Sequence, residues 1–282
     1  MMNMIYSFID ALLPFEWLSP MFMKNAFLAI LIACPLFGML GTSVVSNRMS
    51  FFSDAIGHSA LTGIALGVII GIRDVTVSMI AFSLLLSFAI ISVKRKGKSS
   101  SDTIIGVFSS TAVALGIVLL SAGGNFAKYQ KYLVGDILSI QPKEILLLIF
   151  AAIVLLVVWV IFYNRMLLVS MHAVFAKSRG IKTFLIEQIF ALLTAVIVTV
   201  SIRWTGLLVI NSLLVLPAAA SRLVSRSTGR YTLLSVLISL ISGILGLALS
   251  YQFNTASGAS IVLVNAVLFM GCLIFTVLRK SN

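Results

Sequence analysis

Asp54 and His58 are the two residues of this chain best placed to do chemistry, within Ser53-Asp54-Ala55-Ile56-Gly57-His58-Ser59. On a helix, a carboxylate and an imidazole four residues apart share one face and can reach a common ion. A hard oxygen beside a borderline nitrogen suits Mn2+, Zn2+ or Fe2+, and lets the ion go more readily than several thiolates would. The same spacing fits a plain helix start, with Ser53 or Asp54 capping the first turn and His58 a satisfied buried imidazole. Two ligands do not make a tight site, so water, another helix or a second subunit would have to complete the shell.

Little else in the chain is chemically equipped. The second histidine, His172, falls in a basic loop where a solvated imidazole is expected. Cys34 and Cys272 lie inside apolar runs and read as small buried hydrophobes, not as a disulfide or metal ligands. No nucleophile beside its base, no phosphate-binding glycine loop followed by Lys-Ser/Thr and no paired carboxylates occur. An energy source would therefore come from a partner.

The elements that position Asp54 and His58 are apolar. Of 282 residues, 60% are hydrophobic and 10% charged, which excludes a water-soluble enzyme. About nine blocks reach spanning length or near it: 25–45, 55–72, 75–93, 103–122, 145–162, 184–202, 207–220, 231–251 and 259–278. Their length favours helices over strands. The expected fold is all-α and polytopic, a single membrane domain over 1–282 with no loop long enough for a separate catalytic domain. Ile5, Phe8, Ile9 and Leu12 recur at helical spacing beside Asp10 and Glu16, which suits an interfacial helix within residues 1–20. The first base is Lys24, so the start does not read as a secretory signal.

The net charge of +12 is distributed as a topology signal and does not point to nucleic acid. Arg48, Lys94, Arg95, Lys96, Lys98, Arg165, Lys177, Arg179, Lys182, Arg222, Arg226, Arg230, Arg279 and Lys280 fall on one side of the alternating spans. Lys24, Arg73, Lys128, Lys131, Lys143 and Arg203 fall on the other, with Asp10, Glu16, Asp74, Asp136 and Glu144. The richer side is expected to be cytoplasmic, with the amino terminus outside and the carboxyl terminus inside.

Two spans carry small residues at every fourth position: Gly63, Gly67 and Gly71, and Ser242, Gly246 and Ser250. Such stripes let another backbone approach, within one bundle or between subunits. The block at 207–220 is short and contains Asn211 and Pro217, as expected of either a broken helix lining a path or a kinked structural helix.

Several segments together resemble the membrane permease of bacterial ATP-binding-cassette importers for zinc and manganese. Arg48 through Gly63 resembles the family's signature, an Arg followed by Ser-x-x-x-Asp-Ala-x-x-His-x-x-x-x-Gly. Ser101-Asp102 with Ala114-Leu115-Gly116, Val134-Gly135-Asp136-Ile137-Leu138, Gly206 through Ala219, and Ser257 through Val264 resemble further family blocks in the same order. The resemblance implies that Asp54 and His58 face the translocation path and touch the metal. It also implies that Ala173, Ala176, Lys177 and Gly180, within a cytoplasmic coupling loop at 164–183, grip a separate ATPase, with Arg179 and Lys182 adding charge complementarity. The implied partners are that ATPase, which binds the ATP, an extracytoplasmic metal-binding protein docking near Asp136 and the 123–144 segment, and a second copy of the chain. No permanently bound cofactor is implied, and the location is the bacterial plasma membrane. The chain departs from the family pattern at His172, and at Asn254 or Thr255, where acids are usual. A carrier or channel driven by an ion gradient would use the same bundle without a coupling loop, and a membrane scaffold would use its small-residue faces without metal flux.

Overall fold

Hydrocarbon offers no partner to a backbone amide, so runs this apolar close their hydrogen bonds within helices. A computed structural model describes Tyr6 and residues 15–72, 74–96, 99–122, 135–171 and 173–281. Among the described residues the chain is helical with no strand. The helices are α1 Met21–Ser46, α2 Phe52–Ile70, α3 Val75–Lys96, α4 Ser101–Ala122, α5 Pro142–Met171, α6 Ala173–Ser178, α7 Thr183–Thr205, α8 Leu207–Val224, α9 Thr228–Phe253 and α10 Ser257–Ser281. All but α6 and α8 are long and apolar enough to cross a membrane, and α8 carries a shorter apolar stretch, Val209–Val224. The chain is a multi-pass membrane protein.

Several expectations fall outside the described residues: most of the interfacial segment before Phe15, Arg73, Lys98, Lys128, Lys131, Val134 and His172. Where that segment becomes visible, Glu16–Leu18 is a single 3-10 turn. Tyr6 is buried, and its hydroxyl donates to Asn25 Oδ1 at 2.5 Å.

The described contacts form two compact units. The first comprises Met1–Thr42, Gly135–Ala152 and Trp204–Asn282; the second comprises Ser43–Val134 and Ile153–Arg203. In the first, α8, α9 and α10 pack on one another. Ser242, Gly246 and Ser250 are buried along α9, and a methyl on Gly246 would come within 2.5 Å of the Ile261 Cα on α10. In the second, α2 packs against α3 and α4. A methyl on Gly63 would approach the Met79 Cα to 2.8 Å, and one on Gly67 would strike the Ser78 side chain. On the other side of α2, the Thr62 hydroxyl donates to the Ala112 carbonyl of α4.

Gly71 does not continue this stripe. It has φ +82, nothing within 4 Å of its would-be Cβ, and an amide that bonds back to the Val68 carbonyl at 3.3 Å. It is the left-handed residue that ends α2, because only a residue without Cβ enters that region freely.

The expected loop at 164–183 is also revised. Helix α5 continues to Met171, and within that range only 179–182 is irregular among the described residues. No Gly or Pro lies between Phe162 and Met171, so Asn164 and Arg165 mark the exit from hydrocarbon and not the end of the helix.

Candidate metal site and coupling segment

The turn before α2 presents Asp54. Helix α1 closes with the Met49 amide on the Val44 carbonyl at 3.0 Å and the Arg48 amide on the Val45 carbonyl at 3.2 Å, with Arg48 at φ +55. This six-to-one pattern ends a helix and reverses the chain within a few residues. The residue preceding α2 is Phe51, which makes no side-chain cap, so neither Ser53 nor Asp54 is the cap that the plain reading required. Asp54 lies in the first turn, where the helix dipole favours a carboxylate.

Phe52, Ser53, Ala55, Ile56 and Gly57 are buried, whereas the Asp54 and His58 side chains are each about one-third exposed. His58 Nε2 stands 3.6 Å from Asp54 Oδ1, too long for a strong hydrogen bond. Two donors each about 2.1 Å from one ion stand about 3.0 to 3.4 Å apart, so a shared cation would need only a small inward movement. Among the described residues, no group of three or more His, Cys, Asp and Glu could hold a metal. Cys34 is buried and Cys272 half-buried, both as free thiols.

Helix α8 runs unbroken through Pro217, which excludes the broken form of this span. Pro217 is buried and Asn211 half-buried. A polar contact absent from the sequence pattern lies beside them: Asn265 of α10, fully buried, donates through Nδ2 to Ser212 Oγ at 3.2 Å. Inside a spanning helix such a partner lowers the cost of burying an amide.

The six-residue helix α6 presents Val174, which is 84% exposed, and Phe175, while Ala176 is buried. Gly180 closes it at φ +75, with its amide on the Lys177 carbonyl at 2.9 Å and the Ile181 amide on the Ala176 carbonyl at 3.1 Å. The Arg179 guanidinium lies 4.8 Å from the Phe175 ring centre. The next helix, α7, is held at its first turns by the end of α3. Lys94 Nζ lies 3.5 Å from Glu187 Oε2, both part-buried, and Arg95 stacks 4.9 Å over the Phe184 ring. Sequence reasoning placed Lys94 and Arg95 only as charges on one side of the membrane, because their partners are about ninety positions away. Gln188, next in the chain, is buried with both amide atoms lacking a hydrogen-bond partner among the described residues.

Asp136 serves the local backbone, where its Oδ1 accepts from the Leu138 amide at 3.0 Å and starts the 3-10 turn Ile137–Ser139. Asn254, at φ +51, is the left-handed cap of α9, with the following Thr255 amide on the Ser250 carbonyl at 3.1 Å. An amide side chain tolerates that conformation, which gives this departure a backbone reason.

Comparison with known proteins places this architecture. The manganese import system permease protein ScaB of Streptococcus gordonii is 32% identical over 267 residues, covering 95% of this chain and 94% of that one. The high-affinity zinc uptake system membrane protein ZnuB of Haemophilus influenzae is 30% identical over 257 residues, covering 91% and 96%. The solved structure of PsaBC from Streptococcus pneumoniae in complex with Fab contains a chain with a TM-score of 0.78 at 30% identity, covering 95% of each. Residues 19–276 match the ABC 3 transport family, nearly the whole length from α1 to α10, and the chain belongs to that family.

Proposed function

We propose that the chain is the membrane permease of an ATP-driven importer that carries a divalent transition metal, Mn2+ or Zn2+ with Fe2+ accommodated by the same ligands, into the cytoplasm. The observation that carries this is the Asp54–His58 pair, 3.6 Å apart and part-exposed at the first turn of α2, in a chain 32% identical to a manganese permease and 30% identical to a zinc one. The pair supplies two transient ligands, enough to pass an ion and too few to trap it. A second copy of the chain, joined as a homodimer around one path, completes the shell with its own pair or with retained water.

The energy comes from an ATP-binding-cassette ATPase made as a separate chain. Helix α6 fits its role in this reading: an exposed apolar knob, Val174 and Phe175, beside Lys177, on a turn braced by Gly180. Contacts from Lys94 and Arg95 then pass movement of α7 to α3, which packs on the metal-bearing α2. An extracytoplasmic metal-binding protein delivers the ion on the opposite face of the bacterial plasma membrane, the amino terminus being outside and the carboxyl terminus inside. Asn211 and Pro217 of α8 are assigned as path-lining candidates.

The test is radiometal uptake into cells or proteoliposomes holding the permease, its ATPase and its binding protein. Asp54→Ala with His58→Ala should abolish uptake at unchanged protein abundance and unchanged ATPase retention. Wild-type uptake by that double variant would sink the assignment.

A further inference from the structure

A basic cleft lies where α5 leaves the apolar span. Arg165, Arg179 and Lys182 line a cleft of about 350 Å3 together with Phe162, Ile181 and Leu185. No acidic residue lines it, and none of the three bases is in an ion pair among the described residues. The charges are held by apolar supports: the Arg165 guanidinium lies 5.8 Å from the Phe162 ring centre and that of Arg179 lies 4.8 Å from Phe175. The first turn of α7 forms one wall and adds the positive end of its dipole. Three bases lining one cleft, with no counter-ion among the described residues, suit an anion.

The surface leading to the cleft selects the anion. Val157, Val160 and Ile161 of α5 are 53%, 77% and 64% exposed, and Arg165 follows Ile161 by one turn. This face belongs to the apolar span, as suits a surface that meets hydrocarbon. Leu185, 48% exposed, continues the apolar surface to the cleft mouth. A soluble partner meets only the cationic end of this track, whereas a phospholipid meets all of it, with its acyl chains along α5 and its phosphate among the bases. Basic pockets at the ends of membrane helices bind anionic headgroups in this way.

We infer that this cleft binds the headgroup of an anionic phospholipid. Arg179 and Lys182, expected from the sequence to meet the ATPase, then face lipid, and Lys177, which is not in the cleft, stays with α6. The inference is independent of the transported metal, because its readout is lipid binding.

The test is phosphatidylglycerol titration into the delipidated permease–ATPase complex, read by native mass spectrometry and repeated in nanodiscs of phosphatidylcholine with and without phosphatidylglycerol. Each base near an anionic headgroup is worth about 1 kcal/mol, or about 5-fold. Arg165→Gln should therefore weaken binding by about 5-fold and Arg165→Lys far less. Replacing Arg165, Arg179 and Lys182 together by Gln should weaken it by roughly 100-fold. If the triple variant does not fold, the two single variants carry the test. Unchanged phosphatidylglycerol binding in Arg165→Gln overturns the inference. So does displacement of the lipid by inorganic phosphate at comparable concentration, which would make this a soluble-anion site. Loss of the ATPase from the triple variant in pure phosphatidylcholine would make the cleft a protein interface and overturn it too.

Discussion

Gly180 allows a backbone effect to be measured free of packing. Its φ of +75 is in the left-handed region, and a methyl built there meets nothing within 4 Å. Gly180→Ala therefore adds no clash and removes no side chain. What remains is the penalty for an L-residue at positive φ, roughly 1 to 2 kcal/mol. That penalty falls on the two hydrogen bonds that close α6, from the Gly180 amide to Lys177 and from the Ile181 amide to Ala176. A six-residue helix has little stability of its own, so the loss should appear as a 5- to 30-fold lower population of the ordered segment. The assay is titration of the ATPase into nanodisc-embedded permease, with metal uptake per ATP hydrolysed measured on the same samples. Gly180→Ala should weaken ATPase binding within that range, and Gly180→Asn should recover part of it, since Asn tolerates the left-handed region. Wild-type affinity in Gly180→Ala, or Asn no better than Ala, would refute the view that the cap orders the coupling segment.

Three further outcomes are expected. Gly63→Ala should lower the thermal unfolding midpoint in detergent by an amount equivalent to about 1 to 3 kcal/mol, because its methyl meets the Met79 backbone at 2.8 Å, whereas Gly71→Ala should incur only the dihedral penalty of roughly 1 to 2 kcal/mol. Lys94→Glu should place like charges between α3 and α7 and reduce metal moved per ATP, and adding Glu187→Lys should restore much of the ratio; a double variant no better than the single would remove the pair from the coupling route. Asn254→Val should destabilise the end of α9 by roughly 1 to 2 kcal/mol while Asn254→Asp leaves uptake near wild type, as expected of a residue that shapes the chain and does not bind metal.

The spans were legible in the sequence because transfer into hydrocarbon is a property of each segment and needs no knowledge of its neighbours. The Asp54–His58 pair was legible for a related reason: both residues sit on one helix, where spacing alone places them on a common face. Gly63 and Gly67 could be read as close-packing residues, but Gly71 could not be told apart from them, since a stripe of glycines does not say where the helix stops. The contacts of Lys94 with Glu187, Arg95 with Phe184 and Asn265 with Ser212 join distant parts of the chain, and no local period encodes them. The end of α5 was misplaced because polarity reports where the membrane ends, while helix termination depends on Gly, Pro and caps.

The uninterrupted course of α5 has a mechanical consequence. From Ile145 to Tyr163 it is apolar, about 28 Å at 1.5 Å per residue, which fills the hydrocarbon. The eight residues from Asn164 to Met171 carry it roughly 12 Å further as the same stiff rod. In the proposed coupling role, a push from the ATPase near this end would meet a stiff helix anchored in the bilayer. Little of a lateral stroke on that projecting end would be absorbed by bending of α5.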